Sequence, residues 1–151
     1  MGFMVPDDGD KWSDLPEVTF FSGSMLRPAI QERVREFEER EGCRVNTVFE
    51  GCGTLVAQMD AGAKPAGYFA CDTKFLEKVQ ERFFAGRIMT RNEIVLLVRM
   101  GNPKELRKLK DLGKPGVKLG ICDGRKSALG ELTRIMLERR GLAEELEANV
   151  A

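Results

Sequence analysis

With 151 residues, 42% of them apolar and 32% charged, the chain is long enough for one ordinary domain or two small lobes with real cores. Its 24 basic and 24 acidic residues cancel, which removes any broad electrostatic case for binding nucleic acid or an anionic membrane. Histidine is absent, so Ser–His–Asp and Cys–His catalysis and every histidine-containing metal site are excluded from within the chain.

Residues 1–16 are expected to form a flexible leader. Asp7, Asp8, Asp10, Asp14 and Glu17 outweigh Lys11 in this region, the reverse of a signal peptide's basic start and apolar centre. An export signal is therefore expected to be absent from this chain, and the lone Trp12 to be incidental. Val18 to Phe21 predicts a short buried strand. From Arg27 to Glu41 the apolar positions Ile30, Val34 and Phe37 keep helical spacing. Pro28 suits a first helical turn, and Gly42 suits a helix end. Val45 to Phe49 predicts a second strand and Thr54 to Ala61 a second helix, stopped by Gly62.

Tyr68 to Cys71 predicts a third strand, followed by a helix from Thr73 to about Phe84. Ile94 to Val98 is the longest apolar run, far short of a membrane span, and predicts a buried strand to Arg99. Gly101-Asn102-Pro103 is a turn, followed by a basic helical segment and a second turn at Gly113 to Gly116. Val117 to Ile121 predicts a strand and Leu129 to Arg139 a helix, capped by Gly141. The segment 102–118 holds six Lys/Arg against two Asp/Glu, which predicts a solvated face or a docking face for an acidic partner.

Strands alternating with helices predict an α/β fold with a mainly parallel sheet flanked by helices. The predicted core is Val18, Phe20, Val45, Val48, Phe69, Val95, Leu97 and Leu119. Ligands of such sheets sit beyond the carboxyl ends of the strands. Ser22-Gly23-Ser24, Gly51-Cys52-Gly53 and Asp123-Gly124 fall there. A helix N-terminus offers unpaired N–H groups and a partial positive charge, so several aimed at one point make a cradle for an oxyanion. Small residues let the backbone come close, and Ser24, Thr54 and Ser127 add hydroxyl donors. The same residues also serve as ordinary turn chemistry.

The stretches VTFFSGSMLRPAIQERVREFEEREGCRVNTVFEGCGTLVAQMDAG, GYFACDTKFLEKV, IVLLVRMGNPKELRKLKDLGKPGVKLGICD and ALGELTRIMLERRGL closely resemble the molybdate-type solute-binding proteins of ABC transporters. The likeness runs from Val18 to about Leu142. Its most specific parts are the Leu-Arg-Pro-Ala helix start, the Gly-x-Gly-Thr-Leu turn with Gln58 and Ala61-Gly62, and the Gly101-Asn102-Pro103-Lys104 turn.

The resemblance implies a type II periplasmic-binding fold, two α/β lobes closing on a tetrahedral oxyanion. It divides the chain into a first lobe at 17–92 and a partial second lobe at 93–151, because full-length relatives continue well past the equivalent of Leu142. It implies binding loops at Ser22 to Met25, at Gly51-Cys52-Gly53 and at Ser127 to Gly130. It also implies an ABC permease as partner and a periplasmic or extracytoplasmic location. Two serines of the family pattern are replaced here. One position carries Met25, with Ser24 beside it, and the other carries Cys52. A thiol donates weakly and a thioether not at all, so main-chain amides carry most of the expected binding.

The expected ligand is molybdate or tungstate, with no cofactor. The expected contacts are Ser22, Gly23, Ser24, Met25, Gly51, Cys52, Gly53, Thr54, Ala128 and Leu129. The alternative is a soft metal such as Cu(I) on Met25, Cys52, Cys71 and Cys122, although free cysteine is commonly just a small buried residue. Cys43 lies at the other end of the sheet and has no expected role. A catalytic Cys52, with Asp72 or Glu50 as base, is the third reading; without histidine the chain is expected not to be an enzyme. Asp72 and Asp123 are expected to cap helices. An incomplete second lobe exposes strand edges and apolar surface, which predicts self-association.

Overall fold

The computed structural model describes residues 15–151. Apart from Leu15 and Pro16, the leader expected at 1–16, with Trp12, lies outside the described residues. Three strands, β1 (Glu17–Gly23), β2 (Arg44–Glu50) and β3 (Gly67–Phe69), form a sheet of order β2-β1-β3. Both pairings are parallel, as the alternation of strands and helices predicts. Helix α1 (Arg27–Glu41) connects β1 to β2, and α2 (Cys52–Asp60) connects β2 to β3. The two connections step sideways in opposite directions. Right-handed crossovers then send α1 and α2 to opposite faces of the sheet.

Local chemistry accounts for these ends. Pro28 sits in the first turn of α1, where a missing N–H does no harm. Gly42 closes α1 at φ 61°, its amide bonded to the Glu38 carbonyl, a left-handed position that glycine takes without strain. Asp72 caps α3 (Thr73–Glu77), its carboxylate accepting the Lys74 amide at 2.9 Å.

Strand register sets the first core. Phe21 lies opposite Val48 on one side and Tyr68 on the other. All three pack into a cluster with Cys52, Leu55, Val56 and Met59 of α2, and Phe75 and Val79 around α3. Each large apolar side chain buried this way contributes ~1.5–3 kcal/mol. A second core gathers Leu112, Val117, Leu119, Leu137, Leu142 and Leu146. It is built by a 3-10 turn at Leu109–Gly113, helix α4 (Ala128–Arg139) and helix α5 (Ala143–Glu147). Helix α4 bridges the two cores, with Ala128 in the first and Leu137 in the second.

The carboxyl-terminal residues fold back on this second core. Leu119 bridges to Val150, and the Asn149 side-chain amide donates to the carbonyls of Leu112 at 2.7 Å and Lys114 at 3.3 Å. Asn149→Ala leaves the Leu112 carbonyl without this donor and is expected to lower stability by ~1–3 kcal/mol in urea unfolding. A loss below ~0.5 kcal/mol would show that these two bonds do not hold the second core.

Several predicted elements take another form. The strand predicted at Ile94 to Arg99 is absent; Val95 is 70% exposed and Leu97 90% exposed. An apolar run becomes a strand only where a neighbour completes its hydrogen bonds, and this one has none among the described residues. Val18 is likewise exposed rather than core. The strand predicted at Val117 to Ile121 reduces to the single Leu119–Val150 bridge. The helix predicted from Thr73 to Phe84 ends at Glu77 and gives way to a 3-10 turn at Gln80–Arg82. The basic segment after Pro103 forms only the 3-10 turn at Leu109–Gly113.

Candidate functional site

Strand β1 is central, and its outgoing connection runs to the face opposite α2. Helix α3, which follows β3, packs in the same core as α2. The chain therefore leaves β1 and β3 toward opposite faces, which opens a crevice at their carboxyl ends. Gly23 and Cys71 meet there. A Cβ on Gly23 would overlap the Cys71 sulfur and lie 3.1 Å from the Cys52 sulfur, so only glycine lets both sulfurs rest against this strand.

The two sulfurs organise the surrounding amides. The Cys71 N–H donates to the Cys52 sulfur at 3.3 Å. The Met25 N–H donates to the Cys71 sulfur, and the Cys71 thiol donates to Cys52. The thiol bond from Cys71 is the main influence that lowers the Cys52 pKa from its ordinary value to about 6, against the opposing effect of burial. The Cys71 pKa rises correspondingly, first because its proton is held by Cys52 and second through burial. The two thiols therefore titrate as a pair, with the first charge favoured on Cys52. Tyr68 is raised as well, by burial first and by the charge on Cys52 second. Its buried hydroxyl is turned toward Cys52 without completing a hydrogen bond of normal geometry.

Cys52 is 1% exposed and opens α2, whose first-turn amides point out of the helix end. The groups that act on its charge are Cys71, Tyr68 and Asp72. A thiolate absorbance step centred near pH 6 is expected, and it should vanish in Cys52→Ser. A single rise at the ordinary thiol value of ~8.5 would contradict the paired titration.

The loop ahead of α4 closes onto this region. The Gly53 N–H donates to the Lys126 carbonyl at 3.2 Å. A Cβ on Gly51 would collide with the Lys126 carbonyl, and one on Gly53 with the Arg125 carbonyl. Carbonyl oxygens therefore face the turn predicted to face an anion, and one of its predicted donors is engaged within the protein. Ser127 caps α4, its hydroxyl accepting the Gly130 amide at 3.5 Å. A Cβ on Gly130 would meet the Cys122 carbonyl.

The structure thus brings together Gly23, Gly51, Cys52 and Gly53, with Ala128 in the same core as Cys52. Ser22 is buried, its hydroxyl donating to the Gly23 carbonyl at 3.3 Å. Thr54 and Leu129 are half-buried. The side chains of Ser24 and Met25 are exposed, Met25 at 55%, so that loop offers its backbone rather than its side chains. Of the four residues in the soft-metal alternative, only Cys52 and Cys71 meet. Cys122 is exposed, and among the described residues no group of three or more His, Cys, Asp or Glu is placed to hold a metal ion. Asp72 caps α3, and the Asp123 carboxylate accepts the Arg125 amide at 2.7 Å. Asp72 is thus the helix cap expected, whereas Asp123 only braces the turn ahead of α4, whose cap is Ser127.

Sequence reasoning missed Tyr68 as a companion of the thiols and the Arg125–Lys126 carbonyls as a wall of the site. The first was legible, since alternation places Tyr68 on the Phe21 face. The second was not, because residue type carries no signal for the direction of a loop carbonyl. A cleft of about 530 Å³, lined by Lys78, Asp123, Gly124, Arg125, Glu131 and Arg134, lies beside this site rather than over its amides. Its charges are largely paired, Lys78 with Glu131 and Arg125 with Asp123, each at 3.9 Å.

The class is thus α/β, a parallel sheet with amide-bearing turns at its switch point, the place where such sheets hold ligands. More narrowly, the chain belongs to the family of bacterial extracellular solute-binding proteins, which it matches over residues 18–151. It is 28% identical over 109 residues to the molybdate-binding protein ModA of Mycobacterium tuberculosis, covering 70% of this chain and 42% of that protein. The ModA protein of Mycobacterium bovis gives the same figures. The chain therefore spans less than half the length of these curated relatives.

Among solved structures, the Azotobacter vinelandii periplasmic molybdate-binding protein superposes with a TM-score of 0.61 at 19% identity. The match covers 89% of this chain and 61% of that one. A substrate-binding domain from Clostridium difficile superposes at 0.57 and 16%, covering 90% of this chain and 61% of that one. These likenesses establish the fold expected from the sequence. Among the described residues no helix is long and apolar enough to cross a membrane.

Proposed function

We propose that this chain belongs to an extracytoplasmic, non-catalytic component that captures a small tetrahedral oxyanion, molybdate first and tungstate beside it, for delivery to an ABC permease. The observation that carries this reading is the gathering of the Met25, Cys71 and Gly53 amides around the carboxyl end of the central strand. The molybdate-binding relatives support the choice of anion. In this reading residues 17–92 form the first lobe and 93–151 belong to the second.

The proposed contacts are main-chain N–H groups at Ser22 to Met25, Cys52 to Thr54, and Ala128 to Leu129, joined by that of Cys71. The hydroxyls of Ser24 and Thr54 assist. Capture requires the 125–127 loop to withdraw, so that the Gly53 amide exchanges the Lys126 carbonyl for an anion oxygen. Charge-assisted bonds of this kind are about twice as strong as neutral ones, which favours the exchange. Calorimetric titration with molybdate, tungstate, sulfate and phosphate tests the reading. Heat and thermal stabilisation with molybdate are expected, with ~2.7 kcal/mol gained at a hundredfold excess over Kd. Equal stabilisation by sulfate, or none by any anion, would overturn it.

The exposed run Ile94 to Val98 belongs to the same proposal as an adhesive segment between copies of the chain. Sedimentation should show concentration-dependent association that weakens in Leu97→Lys. An unchanged profile would remove this segment from the interface.

A further inference from the structure

We propose that Cys52 and Cys71 form a dithiol–disulfide site, oxidised by thiol–disulfide exchange, and that closing this disulfide raises the affinity of the adjoining amides for an anion. Three observations meet here. Both sulfurs crowd the single side-chain position of Gly23. They are joined through the Cys71 amide, which donates to the Cys52 sulfur at 3.3 Å, and each thiol is the largest influence on the other's proton affinity. The other two cysteines, Cys43 and Cys122, stand apart from them in the helix-to-strand turn after α1 and in the exposed 120–123 loop. Bacterial extracellular proteins, the family to which the chain belongs, work where disulfides form and persist.

The accessibility of the two sulfurs orders the steps. Cys71 is half-buried and Cys52 fully buried, so an external disulfide reaches Cys71 first. Cys71 passes its proton along the hydrogen bond to Cys52, and as thiolate attacks the external disulfide, breaking its S–S bond and releasing one thiolate. That leaving group takes the proton from Cys52. The Cys52 thiolate then attacks the Cys71 sulfur of the mixed disulfide and releases the second thiolate. Two electrons pass to the oxidant, which ends as one thiol and one thiolate, while the protein gains one internal S–S bond.

The consequence for ligands is electrostatic. In the reduced chain the negative charge on Cys52 sits at the start of α2, where it occupies the place that favours an anion. A disulfide carries no charge and accepts hydrogen bonds poorly. The Cys71 amide then loses its anionic acceptor, the Met25 amide exchanges a neutral thiol for a disulfide sulfur, and repulsion of an incoming oxyanion disappears. This second half rests on the oxyanion reading, whereas formation of the disulfide does not.

The test treats the reduced chain with glutathione disulfide, alkylates remaining thiols after denaturation, maps the cross-link by mass spectrometry, and titrates both forms with molybdate. The expected result is loss of two of the four thiols, a Cys52–Cys71 link within one chain, and molybdate binding at least ~10-fold tighter in the oxidised form. The Cys43→Ser/Cys122→Ser chain should form the same link. Cross-links through Cys43 or Cys122, or a persistently free Cys52, would overturn the disulfide site. A link with equal or weaker molybdate affinity would overturn the coupling. A link with molybdate bound by neither form would overturn the oxyanion reading while the disulfide site stands.

Discussion

Leu55→Ala is expected to destabilise the chain by ~2–5 kcal/mol, a large share of the total stability of a domain this size. Leu55 is 0% exposed and lies at the centre of the first core, among Phe21, Val56, Met59, Phe75 and Val79. Truncation removes its transfer energy and leaves a cavity between α2 and the sheet, which rigid neighbours fill only in part. Leu97→Ala removes the same atoms from a side chain already in water and is expected to change stability by less than ~0.5 kcal/mol. Urea unfolding of the two variants side by side checks the placement of the core. Equal losses would mean that Leu97 is buried in solution and that the exposed form of residues 94–98 is wrong.

Gly53→Ala carries the second large effect, and its sign depends on a competition. Alanine within a helix is ordinarily better than glycine by ~0.5–1 kcal/mol. At Gly53 the added methyl meets the Arg125 carbonyl oxygen, a backbone atom that no rotamer change can move aside. Overpacking of this kind costs ~1–3 kcal/mol and outweighs the helical gain. The loop ahead of α4 must lift, and the bond from the Gly53 amide to the Lys126 carbonyl is lost. The expected outcome is lower stability together with shifted amide resonances through residues 124–127. Higher stability would mean that this loop does not rest on the start of α2.

What the sequence revealed follows from how local each signal is. Strands β1 and β2 were legible because their apolar residues flank strong helix punctuation, Pro28 and Gly42 before β2 and the Gly51 turn after it. Helix α4 was legible from the helical spacing of Leu132, Ile135 and Met136, whereas Ser127, read as a hydroxyl donor, proves to be its cap. Residues 94–98 misled because an apolar run reports what a segment would bury, not whether a partner is there to bury it. Helix α5 was missed since five residues make little more than one turn, too few for an apolar repeat to show, and Leu146 anchors it only through tertiary contact.

The site was legible to the same degree. The turns at Ser22 to Met25 and Gly51 to Thr54 stand at the ends of paired strands, as their small residues suggest. The thiol pair was visible only as two cysteines after successive strands, which the sheet places on either side of β1. Its paired titration depends on Gly23 lacking a side chain and on the angle at which Cys71 leaves β3. The engaged Gly53 amide was not legible, because the loop that engages it lies more than seventy residues along the chain. Under the proposed function, that bond makes withdrawal of the 125–127 loop a required step of anion capture.

The claim on which the account rests is that backbone amides at the switch point take hold of a small oxyanion. Backbone amide NMR of the isotopically labelled chain, oxidised and then titrated with molybdate, tests it most directly. Saturable shifts of the Met25, Gly53 and Cys71 amides are expected, with Leu142 and Leu146 in the second core unmoved. Shifts confined to the Lys78–Arg134 cleft, or none at these three amides under saturating molybdate, would contradict it.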